Sequence, residues 1–303
     1  MTNVAFLKFK RVNSKMKLLS QNLFFVVFLL CLPINASFSQ EGDASLPEGD
    51  ASSQKGDASA STLTESQQKG LDIAKIVKQR NTGWGSSSSN MVMILRNKKG
   101  KELERLMENK SLEVIGDGDK SLTIFNTPAD VRGTAFLSFS HIEESDDQWI
   151  YLPALKRVKR IASRNKSGPF LGSEFAFEDL SSFEVEKNTY DYLGEEELNG
   201  ETMFKVEMRP IDKFSGYTRS ITWIDQEHYR IHKIDFYDRR DTLLKTLTIE
   251  DFKLYKDKFW RADKQFMVNH KTGKSTDIII NDLSFDVEIN ESSFNEKRLK
   301  NAR

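Results

Sequence analysis

The chain has 303 residues, 38% hydrophobic, 11% aromatic and 30% charged, which supplies a packed core for one large or two modest domains and excludes wholesale disorder. Its 45 basic and 45 acidic residues give a formal charge of zero, which speaks against a nucleic-acid-binding chain. The single cysteine, Cys31, excludes an internal disulfide framework and any multi-cysteine metal site.

Residues 1–39 hold five basic residues (Lys8, Lys10, Arg11, Lys15 and Lys17) and no acid. They lead into the apolar run Leu23–Leu32, which Pro33 ends. Such a run falls short of the roughly 20 residues that span a bilayer as a helix, but suits the apolar region of a secretory signal peptide. Ser37 and Ser39 supply small residues at −3 and −1, so cleavage is expected after Ser39, with 1–39 as the signal peptide. A start at Met16 gives a more ordinary signal length, and an uncleaved anchor is the alternative. Lipidation at Cys31 is not expected, because Leu30 stands where lipoprotein processing needs a small residue. Cleavage leaves a mature chain without a thiol.

Residues 40–61 contain a period of seven built on Gly-Asp-Ala-Ser, as in Glu41–Pro47 and Glu48–Gln54. No apolar seam accompanies the period, so it is not a coiled coil. Gly, Ser and Asp make it a solvated, disordered linker, with one Lys against five acids. The remainder, 62–303, is one domain with 39 basic and 40 acidic residues.

The domain opens on a helix expected at 64–80. Thr62 and Glu65 have capping-box spacing, and Leu63, Leu71, Ile73, Ala74, Ile76 and Val77 form an apolar stripe. After Trp84 the pattern alternates as in strands. Met91–Arg96 runs into a hairpin turn at Asn97–Gly100, where Gly100 supplies a positive φ. Further runs rich in Phe, Tyr, Ile, Thr and Val lie at 120–126, 134–140, 147–151, 202–209, 217–224, 230–237, 243–254, 258–268 and 276–287. Within 230–236, parity puts Arg230, His232, Ile234 and Phe236 on one face and Ile231, Lys233 and Asp235 on the other. Roughly ten antiparallel strands in one series exclude a βαβ plan. The fold class is mainly β: a strongly curved antiparallel sheet, an incomplete barrel, closed by a few helices. Ser163–Leu180 is punctuated by Gly168, Pro169 and Gly172 and reads as a loop whose aromatics cover the mouth of the sheet.

Motifs for catalysis are absent. There is no nucleophile elbow, phosphate-binding loop or dinucleotide fingerprint. His228 and His232 stand four apart, but in a strand that separation is roughly 13 Å, too far for one metal. His141 and His270 have no companions. Glu195–Glu197 reads as a solvated loop and Asp146-Asp147 as a hairpin corner. No enzyme, no metal site and no cofactor are expected.

Three blocks carry a resemblance: Thr127–Ala135, Asp146–Ile161 and Ser167–Leu180. They resemble the bacterial outer-membrane lipoprotein-sorting protein family, relatives of the periplasmic carrier LolA, over about residues 64–297. Pro169 departs from the family's small residue at that place. The resemblance implies a half-open antiparallel barrel closed by helices, a cavity for acyl chains and a periplasmic location. Trp149, Tyr151, Leu152, Phe170, Phe175 and Phe177 are candidate lipid-binding residues; Trp149 and Tyr151 share one strand face, for which plain core aromatics are the other reading. The acid-free cluster Lys156, Arg157, Lys159, Arg160, Arg164 and Lys166 is placed at the cavity rim. There Lys156, Arg157, Lys159 and Arg160 are candidates for anionic head groups or an acidic partner; a basic strand edge that discourages pairing is the other reading. Gly168–Leu180 is expected to act as a movable lid.

The function expected is a non-enzymatic, monomeric carrier or chaperone. Its partners are lipoprotein or phospholipid acyl chains, not nucleic acid. An accessory protein of an inner-membrane lipid or efflux transporter is the alternative.

Overall fold

The computed structural model describes residues 62–302. The expected signal peptide, Cys31 and the 40–61 linker lie outside the described residues. The first element is α1 (Glu65–Arg80). Its cap lies two residues later than the expected Thr62–Glu65 pair. Thr64 is the N-cap: its hydroxyl accepts from the backbone N–H of Gln67, and the Gln67 side chain accepts from the Thr64 backbone in return. Gln67 at the third helical position completes this reciprocal pair, which is why Thr64 wins. The helix buries Ile73, Ala74 and Val77.

Thirteen strands follow: β1 (Ser86–Arg96), β2 (Glu102–Leu112), β3 (Lys120–Thr127), β4 (Ala135–Phe139), β5 (Asp147–Leu152), β6 (Arg157–Arg160), β7 (Asn188–Leu198), β8 (Glu201–Pro210), β9 (Tyr217–Asp225), β10 (Ile231–Asp238), β11 (Leu243–Tyr255), β12 (Phe259–Asn269) and β13 (Ser275–Phe285). They form one antiparallel sheet in the order β6-β5-β4-β3-β2-β1-β13-β12-β11-β10-β9-β8-β7. Nearly every strand pairs with its neighbours in sequence. The exceptions define the fold: β13 returns to pair β1, with Met93 opposite Ile278, while the consecutive strands β6 and β7 are the two free edges. The sheet is therefore a curved, unclosed barrel, as expected from the sequence.

β2, β7 and the start of β1 had no clear signal in the sequence. β2 is charge-rich and fully buries only Arg105 and Met107. β7 ends in Glu195, Glu196 and Glu197, and β1 begins with four serines. Backbone pairing to apolar neighbours holds such polar strands in place.

The inner face is filled in two places. At the β7–β9 end, α1 lays Ile73, Ala74 and Val77 against Tyr190, Val206, Met208 and Ile224. It approaches β7 so closely that a Cβ on Gly70 would stand 3.0 Å from the Tyr192 backbone nitrogen. At the other end, the segment 161–187, which joins the two free edges, dips into the sheet. Its Phe170 and Phe175 join Met93, Met107, Phe125, Phe136, Ile150, Leu247, Met267 and Ile278 in one core drawn from both halves of the sheet. Phe170 packs on Phe125, Phe136 and Phe177 with ring centroids 5.0–5.8 Å apart. The opposite face of β3–β5 is also covered. There Leu122, Ile124, Ala135 and Leu137 pack under the C-terminal residues Phe294 and Leu299.

The segment 161–187 is fastened along its length. Lys245 of β11 donates to Asp179 at 2.5 Å and to the Glu174 carbonyl at 3.0 Å, and the two charged side chains are only 4% and 6% exposed. The Tyr217 hydroxyl donates to the other Asp179 oxygen at 2.8 Å. Gln148 reaches the Phe177 carbonyl, Arg105 the Leu171 carbonyl, and Asn269 the Glu174 carboxylate. Gly168–Leu180, expected as a movable lid, is thus tied to β2, β5, β9, β11 and β12 and packs as a wall of the inner core. Substituting Lys245→Met leaves Asp179 as a buried, uncompensated charge. It is expected to lower stability by about 3–5 kcal/mol, with much of the loss recovered in the Asp179→Asn, Lys245→Met double variant, as read by denaturant unfolding.

Candidate functional site

Between α1 and the segment 161–187 the inner face is left unfilled. A hollow of about 960 Å³ remains there. Its sheet wall is Met208, Ser220, Thr222, Ile231, Ile234, Phe236, Leu247 and Gln265, and the crossing segment adds Phe175, Glu178, Asp179 and Phe183. Two smaller hollows, of about 570 and 540 Å³, adjoin it and share Ile231 and Gln265 in their walls. The volume stands at the upper end of the roughly 300–1,000 Å³ of ligand sites.

The sheet keeps this space open through side-chain choice. Ser220 and Thr222 leave room where their neighbours on β8 and β10 carry Met208, Ile234 and Phe236. A register shift between Ile231 and Lys233 in the β9–β10 pairing brings Ile231 into the same hollow as Ile234 and Phe236. Sequence parity had set Ile231 on the opposite face; a bulge of this kind overrides parity because it adds one residue to one strand.

The first mouth is ringed by the loops 142–146 and 211–215 and is acidic. Glu143, Glu144, Glu186 and Asp212 stand around it, with Lys187 paired to Asp146 and with Lys166 and Lys213 as the other cations. Burial raises the pKa of Glu178 in the wall, opposed by hydrogen bonds from the Ser215 hydroxyl and the Gly216 N–H. Burial also raises Tyr217 well above an ordinary phenol, reinforced by the neighbouring Asp179 charge.

The second mouth lies at the other end of the same strands. Tyr217 and Asp225 begin and end β9, which corresponds to about 26 Å of extended chain. This mouth is built from the end of α1 and the β9–β10 and β11–β12 turns. Asp225 organises it. Burial pushes its carboxyl up, but bonds from His232, Arg230 and the His228 N–H outweigh that and hold it well below the usual carboxylate range. Arg230 then lies between Trp260 and Phe252, at 4.7 and 5.1 Å from their ring centroids, and His228 stacks on Trp260 at 4.8 Å. His228 and His232 thus serve one carboxylate hub. No group of three or more metal-ligating side chains exists among the described residues.

The candidate residues from the sequence are dispersed. Phe175 alone lines the hollow. Phe170, Phe177 and Leu152 pack in the inner core beside it. Trp149 and Tyr151 share a face, as expected, but not the inner one: they pack with Phe139, Val158, Ile289, Phe294 and Leu299 on the opposite side of the sheet. The C-terminal tail covers them there. Of the basic cluster only Lys166 reaches the rim. Lys156, Arg157, Lys159 and Arg160 are exposed on or beside the edge strand β6, and none of them lines the hollow. Arg160 pairs with Asp147, and Lys166 is buried with its ammonium on the Asp146 carbonyl. The residues that do line the hollow were missed because they are scattered over β8–β12, each an ordinary apolar member of an alternating strand.

One lobe carries a titrating group. Burial pushes Asp119 up to about 6, partly opposed by the Lys78 charge. A raised carboxyl pKa means that the folded state holds its proton more tightly than the unfolded chain. This contribution is full below about pH 4 and is lost as pH rises through 6. Asp119→Asn is therefore expected to be neutral at pH 4 and stabilising by about 1–2 kcal/mol at pH 7, read as a growing Tm difference from the parent.

A family model described only as that of an uncharacterized protein matches residues 117–301. No curated protein matches the chain. A crystallised outer membrane lipoprotein-sorting protein domain from Vibrio parahaemolyticus is 56% identical, with a TM-score of 0.76; the match covers 77% of this chain and 99% of that one. A DUF1329 family protein from Desulfovibrio piger is 30% identical, with a TM-score of 0.74, covering 78% of this chain and 100% of that one. A LolA superfamily protein from Nitrosomonas europaea, at 20% identity and a TM-score of 0.60, shares the fold over 77% of this chain and 98% of its own. The chain belongs to the same family as the outer membrane lipoprotein-sorting protein domain from Vibrio parahaemolyticus, and it shares its fold with the LolA superfamily.

Proposed function

We propose that the protein is a non-enzymatic periplasmic carrier that holds lipoprotein or lipid acyl chains in its hollow and passes them towards the outer membrane. The observation that carries this reading is the unfilled inner face. A hollow of about 960 Å³ walled by Met208, Ile231, Ile234, Phe236, Leu247, Phe175 and Phe183 leaves apolar surface without a partner from the chain itself. Each methylene that enters such a site contributes about 0.8 kcal/mol. An acyl chain matches the demand because it is long, thin and apolar, and it asks for no hydrogen bonds from the wall. The signal-like residues 1–39 and the likeness to the Vibrio lipoprotein-sorting protein domain support export and lipoprotein sorting.

The reading separates cleanly from an accessory role at a transporter. A carrier purified from its own cells arrives with lipid inside. An accessory protein arrives empty and with the transporter attached.

The test is native mass spectrometry of the purified chain beside its Ser220→Trp variant. Ser220 is a small residue in the middle of the sheet wall, opposite Phe236, so an indole there obstructs the hollow at its centre. The expected result is co-purifying lipid on the parent and at least a tenfold loss of a fluorescent fatty-acid probe on the variant, with Tm nearly unchanged. An empty parent with no probe affinity, or equal probe binding by both proteins, would contradict the carrier role.

A further inference from the structure

The second mouth of the hollow has a chemistry of its own. Its wall holds Arg80, Arg230, Lys258 and Arg261, with Asp257 as the sole carboxylate. Arg230 is neutralised by Asp225 at 2.7 Å. Arg80, Lys258 and Arg261 have no acidic partner within salt-bridge distance among the described residues. Arg261 is half-buried. Its guanidinium donates to the Asn81 side chain and to the Trp260 carbonyl, at 2.8 and 2.9 Å, and so is held in one orientation. Lys258 donates to the Thr82 carbonyl at 2.8 Å. The bonds to Asn81 and Thr82 tie the chain just past α1 to the β11–β12 region, and all of them use only part of the donor capacity of the two cations. Arg80 makes no such tie. It lies over the Tyr229 ring, 5.1 Å from its centroid, at the entrance.

Arg80 and Lys258 are exposed at the opening and Arg261 is half-buried behind them, so three cations without an acidic partner among the described residues converge on one entrance. The floor of the same lobe is apolar: Val77, Ile231, Ile249 and Ala262 lead from the cations inward, and Ile231 and Gln265 belong to the main hollow as well. Charge at the entrance and hydrocarbon behind it is the layout of an amphiphile. The first mouth, ringed by carboxylates, is the wrong end for such a head. Burial of the Arg261 guanidinium lowers its pKa, opposed by the more distant Asp119 and Glu113, so an anion there would relieve a desolvated charge.

We propose that the mouth formed by Arg80, Lys258 and Arg261 binds the phosphate-type anionic head of an amphiphile whose chains run past Ile231 into the hollow. This rests on the acyl-chain reading and adds to it a charge preference and a direction of loading. Guanidinium groups suit a phosphate because they donate in parallel pairs, and the surrounding aromatic faces keep water from competing. The edge-strand cluster at Lys156, Arg157 and Lys159 takes no part.

The experiment uses the full-length chain and three probes below their micelle concentrations: palmitoyl lysophosphatidylglycerol, palmitoyl lysophosphatidylcholine and glycerol 3-phosphate. Binding is followed by calorimetry on the parent, Arg80→Gln, the Arg80→Gln, Arg261→Gln double variant and, as a control, Arg157→Gln. The parent is expected to hold the anionic lysolipid at least tenfold more tightly than the zwitterionic one. Arg80→Gln should lose severalfold of that preference and the double variant nearly all of it. Affinity for the zwitterionic lysolipid and the behaviour of Arg157→Gln should be unchanged. Arg80→Gln alone decides the matter if the double variant unfolds, because Arg80 makes no such tie.

Equal binding of both lysolipids by the parent, or an intact preference in Arg80→Gln, would overturn the head-group site and leave the carrier reading standing. Binding of glycerol 3-phosphate with neither lysolipid would overturn the acyl-chain reading and reduce the site to one for a free anion.

Discussion

A sheet that curls through thirteen strands acquires an inner face larger than its own side chains can fill. That face must be covered, because apolar surface left in water costs about 25 cal/mol for each Å². Two pieces of chain do the covering, and neither reaches the middle. The helix α1 packs on β7–β9, close enough that Gly70 has no space for a side chain. The segment 161–187 fills the side under β1–β5 and β11–β13 with Phe170, Phe175 and Phe177. The hollow is what remains between them.

Its persistence depends on the segment 161–187 staying where it is. The connection joins two free sheet edges, so nothing in the backbone ladder holds it. Polar anchors do so instead, led by the buried Lys245–Asp179 pair with Tyr217 on the same carboxylate. A buried pair of this kind adds little net stability over an apolar substitute, but it defines one position for the loop and punishes others. The result is a cavity with two unlike ends. Carboxylates surround one, and unpaired arginine and lysine side chains the other, separated by the length of β9. A guest with one charged end has one favourable way to lie in it.

The strand series, the single helix and the crossing loop were legible because each rests on local chemistry: alternation, caps, and Gly-Pro punctuation. β2 and β7 were not, since charged and acidic residues carry no β signal of their own and the pairing comes from neighbours. The site was read less well for two physical reasons. Trp149 and Tyr151 look like cavity residues by type, yet which face of β5 they occupy as core is decided by Phe294 and Leu299, well over a hundred residues away. Ile231 was set on the wrong face because a register shift beside Lys233 breaks the two-residue period. The basic run 156–160 drew attention by density, while the cations of the second mouth, Arg80, Lys258 and Arg261, come from three separate elements and form no motif.

Photo-crosslinking with a palmitate that carries a diazirine at mid-chain tests the location of the guest most directly. Peptide mapping should find label on β8, β10 and β11, at or beside Met208, Ile234, Phe236 and Leu247. Label confined to β5 and the C-terminal tail around Trp149 and Tyr151, or no light-dependent label, would contradict an acyl chain in this hollow.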